Sequence, residues 1–258
     1  MIKLWNSDMP YKLDGEDFEP CITVYPANSK GAVIICPGGA YRCRADHEGP
    51  VMGEWFQSNG ITAFVLDYRV APNMHPAEIS DAMRAIRYVR HHADEYGLDR
   101  DKIAIMGFSA GGHLAGSLSV HYDKKMYEPM DEIDKESAKP NASILCYSVI
   151  DMGTYRHDGT RNNLISSHPT DDMTEFMSLH KQVNADTPEA FIWHTSSDND
   201  VPVMNSMLYA EALSRHNINF EMHIYPMGPH GLGLANDNDY VAKWSRDLIE
   251  WLTYKEWK

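Results

Sequence analysis

Short, strand-like apolar runs recur along this chain, and patterns with helical spacing lie between them. The runs are CITVYPA, GAVIICPGG, ITAFVLDY, KIAIMG, ASILCYSVI, AFIWHT and FEMHIYP. GAVIICPGG is nearly all apolar, and a strand with no polar face must be covered on both sides, which is the condition of a central strand in a parallel sheet. Residues 48–59 turn helical and stop at Gly60, a natural C-cap. Ile79, Met83, Ile86 and Val89 then recur at helical spacing, with Arg84, Arg87 and Arg90 between them. Further helices are expected from about Ala110, over 202–217 with Pro202 in the first turn, and over 241–252. Strand–helix alternation over the whole length predicts an α/β fold, a mostly parallel sheet with helices on both faces.

No linker, repeat or low-complexity tract interrupts the 258 residues, so a single domain spanning 1–258 is expected. One segment breaks the alternation. Residues 151–188 are polar, with a weak helical pattern in TDDMTEFMSLHKQV, and read as a lid-like insertion or a surface excursion. The net charge of −14 argues against nucleic acid or an anionic membrane as partner. The amino terminus lacks the basic and apolar regions of a signal peptide, and no apolar run is long enough to span a bilayer. Cys21, Cys36, Cys43 and Cys146 show no metal-type spacing and fit a reducing compartment, so a cytoplasmic protein is expected. Cys43 lies near a suspected active loop, but no base stands beside it in the sequence.

The most specific local signal is IAIMGFSAGGHLAG. Gly107-Phe108-Ser109-Ala110-Gly111 matches G-x-S-x-G, with a strand before it and a helix after it. That context is a nucleophile elbow. The serine sits on a strained turn, so the residues two before and two after must lack bulk. The helix start also presents the Ala110 N–H to a developing oxyanion. The bland reading is a plain glycine turn.

A serine hydroxyl needs a base, and the base needs an acid to orient it. In a doubly wound hydrolase these follow on loops after later strands, in the order Ser, Asp or Glu, His. His91, His92, His121 and His216 lie on helical patterns and read as solvated, and His194 and His223 fall inside strands. His230 alone lies on a glycine-rich loop past the final strand, between Gly228 and Gly231. For the acid, FIWHTSSDNDVP offers Asp198 and Asp200, and Asp151 ends the preceding strand; Asp198 is preferred. The loop CPGGAYRC carries small residues after a buried strand, and the N–H groups of Gly39 and Ala40 are the expected second half of an oxyanion hole. No cofactor or metal is expected, since HExxH, a P-loop and a dinucleotide G-x-G-x-x-G are all missing from the sequence.

PGGAY, DYRVAP, GFSAGGHLA, SSDNDVP and GPHGLGLA stand in the order found in esterases of the α/β-hydrolase superfamily. The chain resembles the branch related to hormone-sensitive lipase and, more closely, small bacterial acetyl-xylan-esterase-like proteins. The resemblance implies the α/β-hydrolase fold, with Ser109 as nucleophile, Asp198 as acid, His230 as base, and Gly39, Ala40 and Ala110 holding the oxyanion. It departs from the H-G-G-G loop of that branch: Pro37 replaces the histidine, and Ala40 the last glycine. Tyr41, His47 and Glu48 follow the loop and are candidate pocket residues, while Arg69 is expected to brace its own turn. Tyr41, Tyr155 and Trp193 are candidates for stacking on sugar rings. The implied activity is hydrolysis of short acyl esters, acetyl above all, with a small-molecule partner such as an acetylated sugar or xylo-oligosaccharide. Other readings are a carboxylesterase without carbohydrate preference, a peptidase or amidase of the same fold, and a catalytically silent binding protein.

Overall fold

The computed structural model describes residues 1–6 and 9–258. Among them, eight strands form one sheet: β1 (Ile2–Lys3), β2 (Cys21–Tyr25), β3 (Ala32–Cys36), β4 (Thr62–Asp67), β5 (Ile103–Phe108), β6 (Ala142–Cys146), β7 (Glu189–Thr195) and β8 (Phe220–Tyr225). Their order is β1-β2-β4-β3-β5-β6-β7-β8. The β1–β2 and β2–β4 ladders are antiparallel, and every other ladder is parallel. β3 and β5 are wholly buried, as runs without a polar face require.

Side chains alternate across the sheet, so each strand feeds two cores. Ile34, Phe64, Ile105, Leu145 and Ile192 pack on one face beneath α2 (Ala77–His91), α3 (Ser109–His121) and α6 (Met204–Arg215). Val33, Ile35, Val65, Met106, Phe191 and Trp193 pack on the other, beneath α1 (Pro50–Ser58) and α7 (Lys243–Tyr254). Each such aliphatic side chain, fully buried, contributes ~1.5–3 kcal/mol relative to exposure. Trp193 stacks on Trp244 with ring centroids 4.7 Å apart and is fully buried, so it packs the core and offers no face to a sugar. Arg69 braces its turn as expected. Its guanidinium forms a buried pair with Asp81 (Nη2–Oδ1, 2.8 Å; Nε–Oδ2, 2.9 Å) and donates to the Ala77 carbonyl.

The strand order reverses direction at β3, with β4 on one side and β5 on the other. A crevice therefore opens where the carboxyl ends of β3 and β5 part, and the loop after β3 and the start of α3 meet there. Residues 151–188 form two short helices, α4 (Asp158–Ile165) and α5 (Asp171–Phe176), with Leu164, Ile165, Met177 and Leu179 buried. This segment lies against α3 and the loop after β3. His121 corrects the sequence reading: although it sits on a helical pattern, it is buried because Phe176 stacks on it at 4.0 Å. Among the described residues, no helix is long and apolar enough to cross a membrane.

Candidate active site

β5 ends at Phe108 and α3 begins at Ser109 without an intervening residue. Ser109 pays for that abruptness with a left-handed backbone, φ 51°, a strain typical of functional positions. The glycines on either side are there for space. A Cβ at Gly107 would lie 2.0 Å from the Gly111 carbonyl oxygen, and one at Gly111 would lie 2.1 Å from the Cys36 carbonyl oxygen. The β5–α3 junction is thus wedged against the end of β3, and Ser109 projects into the crevice.

His230 reaches the same point from the loop after β8. The Ser109 hydroxyl donates to its Nε2 across 2.7 Å. Its Nδ1–H donates to Asp198 Oδ2, also across 2.7 Å. Asp198 is held in turn. Its Oδ1 accepts from the N–H groups of Asp200 (3.0 Å) and Val201 (2.9 Å). Burial pushes the Asp198 carboxyl up, but hydrogen bonds from His194, His230 and the Val201 N–H outweigh it and hold the group well below the usual carboxylate range. The loops that carry Asp198 and His230 are also stitched together, with the Thr195 hydroxyl donating to the Gly228 carbonyl at 2.8 Å.

The two rival acids lie elsewhere. Asp151 is buried, where its Oδ2 accepts from the Tyr155 N–H (2.8 Å) and its Oδ1 from the Ser178 hydroxyl (3.2 Å). Asp200 is exposed, and its backbone N–H donates to Asp198 Oδ1.

On the other side of Ser109, Gly39 and Ala40 turn the chain after β3, with φ 129° and 55°. Among the described residues, neither N–H has a hydrogen-bond partner. Ala110 is the second residue of α3, where an N–H has no intrahelical acceptor. Unpartnered N–H groups thus lie on both the loop after β3 and the start of α3. The Ala40 carbonyl is fixed from behind by Asn163 of α4, whose Nδ2 donates to it at 2.8 Å.

The pocket candidates need correction. Tyr41 is buried, with its ring edge-on to Tyr68 and its hydroxyl 3.0 Å from His113 Nδ1. Glu48 is buried too, beneath the loop after β3 and not at a mouth. The chain turns back under itself after Ala40, so closeness in sequence carries these side chains inward. His47 is exposed, and its Nε2 lies 3.0 Å from the Gly231 carbonyl oxygen of the His230 loop. Cys43 is an exposed free thiol whose Sγ–H points to the Gly39 carbonyl oxygen at 3.8 Å. Two residues escaped the sequence reading. His194 lies on β7, and its Nε2 sits 3.3 Å from Asp198 Oδ2 and 2.9 Å from the Val201 carbonyl oxygen. Tyr147 meets the His230 ring edge-on, with centroids 5.0 Å apart.

A mostly parallel sheet with a serine elbow after β5 and a histidine loop after its last strand defines an α/β hydrolase. The chain belongs to the BD-FAE family, whose profile matches residues 24–213. It is 39% identical over 235 residues to endo-1,4-beta-xylanase B of Butyrivibrio fibrisolvens, covering 88% of this chain and 37% of that protein. It is 31% identical over 235 residues to an acetylxylan esterase of Xylanibacter ruminicola, covering 88% of this chain and 46% of that one. The chain thus spans less than half the length of these two relatives. Among solved structures, it superposes on an acetyl ester-xyloside bifunctional hydrolase from Caldicellulosiruptor lactoaceticus with a TM-score of 0.94 at 41% identity, over 98% of this chain and 95% of that one. A carboxylesterase from Lactobacillus plantarum matches with a TM-score of 0.77 at 25% identity, over 94% and 95% of the two chains.

Proposed function

We propose that this protein is a serine esterase that removes short acyl groups, acetyl foremost, from sugars or xylo-oligosaccharides. The observation that carries the proposal is the unbroken line from Ser109 through His230 to Asp198, with both hydrogen bonds at 2.7 Å. In this reading His230 Nε2 takes the Ser109 proton as Oγ attacks the ester carbonyl. The tetrahedral oxyanion settles against the N–H groups of Gly39, Ala40 and Ala110, where one lost donor typically costs ~10²–10³ in turnover. The imidazolium returns its proton to the departing sugar oxygen. Water then attacks the acyl-enzyme by the same route. Asp198 keeps the proton on Nδ1 and stabilises the imidazolium.

Support for the acetyl and sugar parts comes from relatives named for acetylxylan and acetyl ester-xyloside hydrolysis. α4 lies beside the loop after β3, where Asn163 Nδ2 donates to the Ala40 carbonyl. Four free cysteines favour a reducing compartment, in keeping with a cytoplasmic enzyme acting on imported oligosaccharides. The test compares the parent with Ser109→Ala on p-nitrophenyl acetate and acetylated xylo-oligosaccharides, with a fluorophosphonate probe. The parent should label covalently and release acetate from both substrates, and the variant should do neither. Equal turnover in the variant removes the serine mechanism. A parent active only on the p-nitrophenyl ester is a general carboxylesterase.

A further inference from the structure

Glu48 lies at the centre of a hydrogen-bonded strut between the two loops that carry the proposed chemistry. The residue is buried, at 2% exposure. Oε2 accepts from the Gly38 N–H at 2.8 Å. Oε1 accepts from the Tyr147 hydroxyl at 2.6 Å. The Tyr147 oxygen then accepts from the Gly233 N–H at 2.9 Å. Gly38 immediately precedes the free N–H groups of Gly39 and Ala40, and Gly233 follows closely on His230. His47, next to Glu48 on the same short 3-10 helix (Asp46–Glu48), adds a parallel tie to the Gly231 carbonyl.

Two further observations show that the strut bears on geometry near the reacting atoms. The first is the fit around Gly38. A Cβ there would lie 2.6 Å from Glu48 Oε2 and 3.1 Å from Ser109 Cβ, so the backbone is clamped between carboxylate and nucleophile. The second is the ring of Tyr147, which stands edge-on to His230 and tilted against Phe108, the residue before Ser109. Tyr147 holds this place from a left-handed backbone, φ 36°. A buried carboxylate is costly, and a well-packed apolar side chain usually serves stability as well or better. A carboxyl group kept at such a place, hydrogen-bonded to both loops, points to a role in aligning them.

We propose that Glu48 and Tyr147 are positioning residues for ester hydrolysis: together they set the distance between the oxyanion donors of Gly39 and Ala40 and the imidazole of His230. The inference rests on the serine-esterase reading above. Neither side chain touches the ester; each acts through the backbone it holds. Without Glu48, the Gly38 N–H loses its acceptor, and the loop is free to rotate the next two N–H groups away from the oxyanion. Without the Tyr147 hydroxyl, the Gly233 end slackens and the imidazole drifts. Misplacement by about 1 Å can cost ~10² in rate.

The test uses Glu48→Gln, Tyr147→Phe and their combination, with Ser109→Ala as reference. kcat and KM on p-nitrophenyl acetate, the rate constant for fluorophosphonate labelling, and the melting temperature are measured for each. Each single variant should lose ~10–100-fold in kcat and labelling rate, with KM within about threefold and folding retained. The two changes cut one strut, so the double variant should be little worse than the poorer single. Should Glu48→Gln fail to fold, Tyr147→Phe alone decides by the same kcat criterion. The positioning role is overturned if Ser109→Ala is inactive while folded Glu48→Gln and Tyr147→Phe keep kcat within twofold. Losses confined to KM, or losses that multiply in the double variant, overturn it as well. Full activity in Ser109→Ala would instead overturn the serine-esterase reading itself.

Discussion

Two buried histidines on α3 make the protein acid-sensitive in a window set by their environment. His113 and His121 are almost wholly excluded from solvent. The Nε2–H of His113 donates to the Met177 carbonyl, and that of His121 donates to the Phe176 carbonyl, each at 3.0 Å. Among the described residues, His121 Nδ1 has no partner, so a proton placed there would find no acceptor. Burial dominates both sites and pulls each histidine from the ordinary 6.5 down to about 4. Between those values the unfolded chain binds more protons than the folded one, so stability rises with pH there. The contribution is fully present above ~6.5 and drains away as pH falls toward 4. At pH 5 each histidine should contribute about 2 kcal/mol less than at pH 7.5, from ~1.4 kcal/mol per unit over ~1.5 units. The pair then costs about 4 kcal/mol, or ~8–16 °C of melting temperature for a chain of this size. The assay is a series of thermal melts at pH 7.5, 6 and 5 on the parent and on His113→Gln/His121→Gln, whose amide N–H groups can replace ring Nε2–H. His157 and His180 are also held down by burial, so the double variant should keep a smaller fall. A parent whose melting temperature is flat from pH 7.5 to 5, or a double variant with an undiminished fall, refutes the reasoning.

Asp198→Asn should lower kcat by ~10⁴ by presenting the wrong tautomer of His230, whereas Asp151→Asn should cost less than about tenfold in kcat and show mainly in the melt; the reverse ranking would move the acid to the earlier strand. Arg69→Met leaves Asp81 buried with its guanidinium partner gone, and urea unfolding should report a loss of ~3–5 kcal/mol, much of it recovered in Arg69→Met/Asp81→Leu. A loss below about 1 kcal/mol would mean that water reaches Asp81. Ala40→Gly removes a methyl group from a residue at φ 55°, so the variant should be at least as stable as the parent. Its kcat/KM for p-nitrophenyl acetate, butyrate, hexanoate and octanoate should fall less steeply with chain length, since one methylene is worth ~1–3 kcal/mol at a close-fitting site. An unchanged profile would place the limit on acyl length elsewhere.

What the sequence discloses and what it conceals divide according to how local the physical cause is. The elbow is visible because its demands fall within five residues: a strained serine, bare neighbours and a helix start. The buried strands are visible because a run without polar residues has few other places to go. His230 stands out through the glycines around it, but no local cue separates Asp198 from Asp151. That choice is made by which strand end faces the histidine loop, and the Thr195–Gly228 bond ties the loop after β7 to it. Glu48 and Tyr147 are 99 positions apart, and neither the helical pattern that begins at Glu48 nor the apolar run around Tyr147 says what its side chain meets, so nothing short of the folded chain pairs them. Closeness to the oxyanion loop even points the wrong way, because it suggests a pocket mouth where the chain in fact dives underneath.

His121 fails for a related reason. A histidine at a polar-looking helical position is solvated only while nothing covers it, and its cover here is the weakly patterned segment 151–188. That segment therefore has two roles in the fold. It closes over α3 from outside, burying the histidines that make the fold acid-sensitive, and it reaches the Ala40 carbonyl through Asn163. Acid that loosens its hold on α3 should then disturb the oxyanion loop before the sheet itself gives way. In the pH series above, esterase activity assayed at each pH should accordingly fall at lower temperatures than the melt of the sheet. Coincidence of the two transitions at pH 5 would show that segment and sheet unfold as one unit.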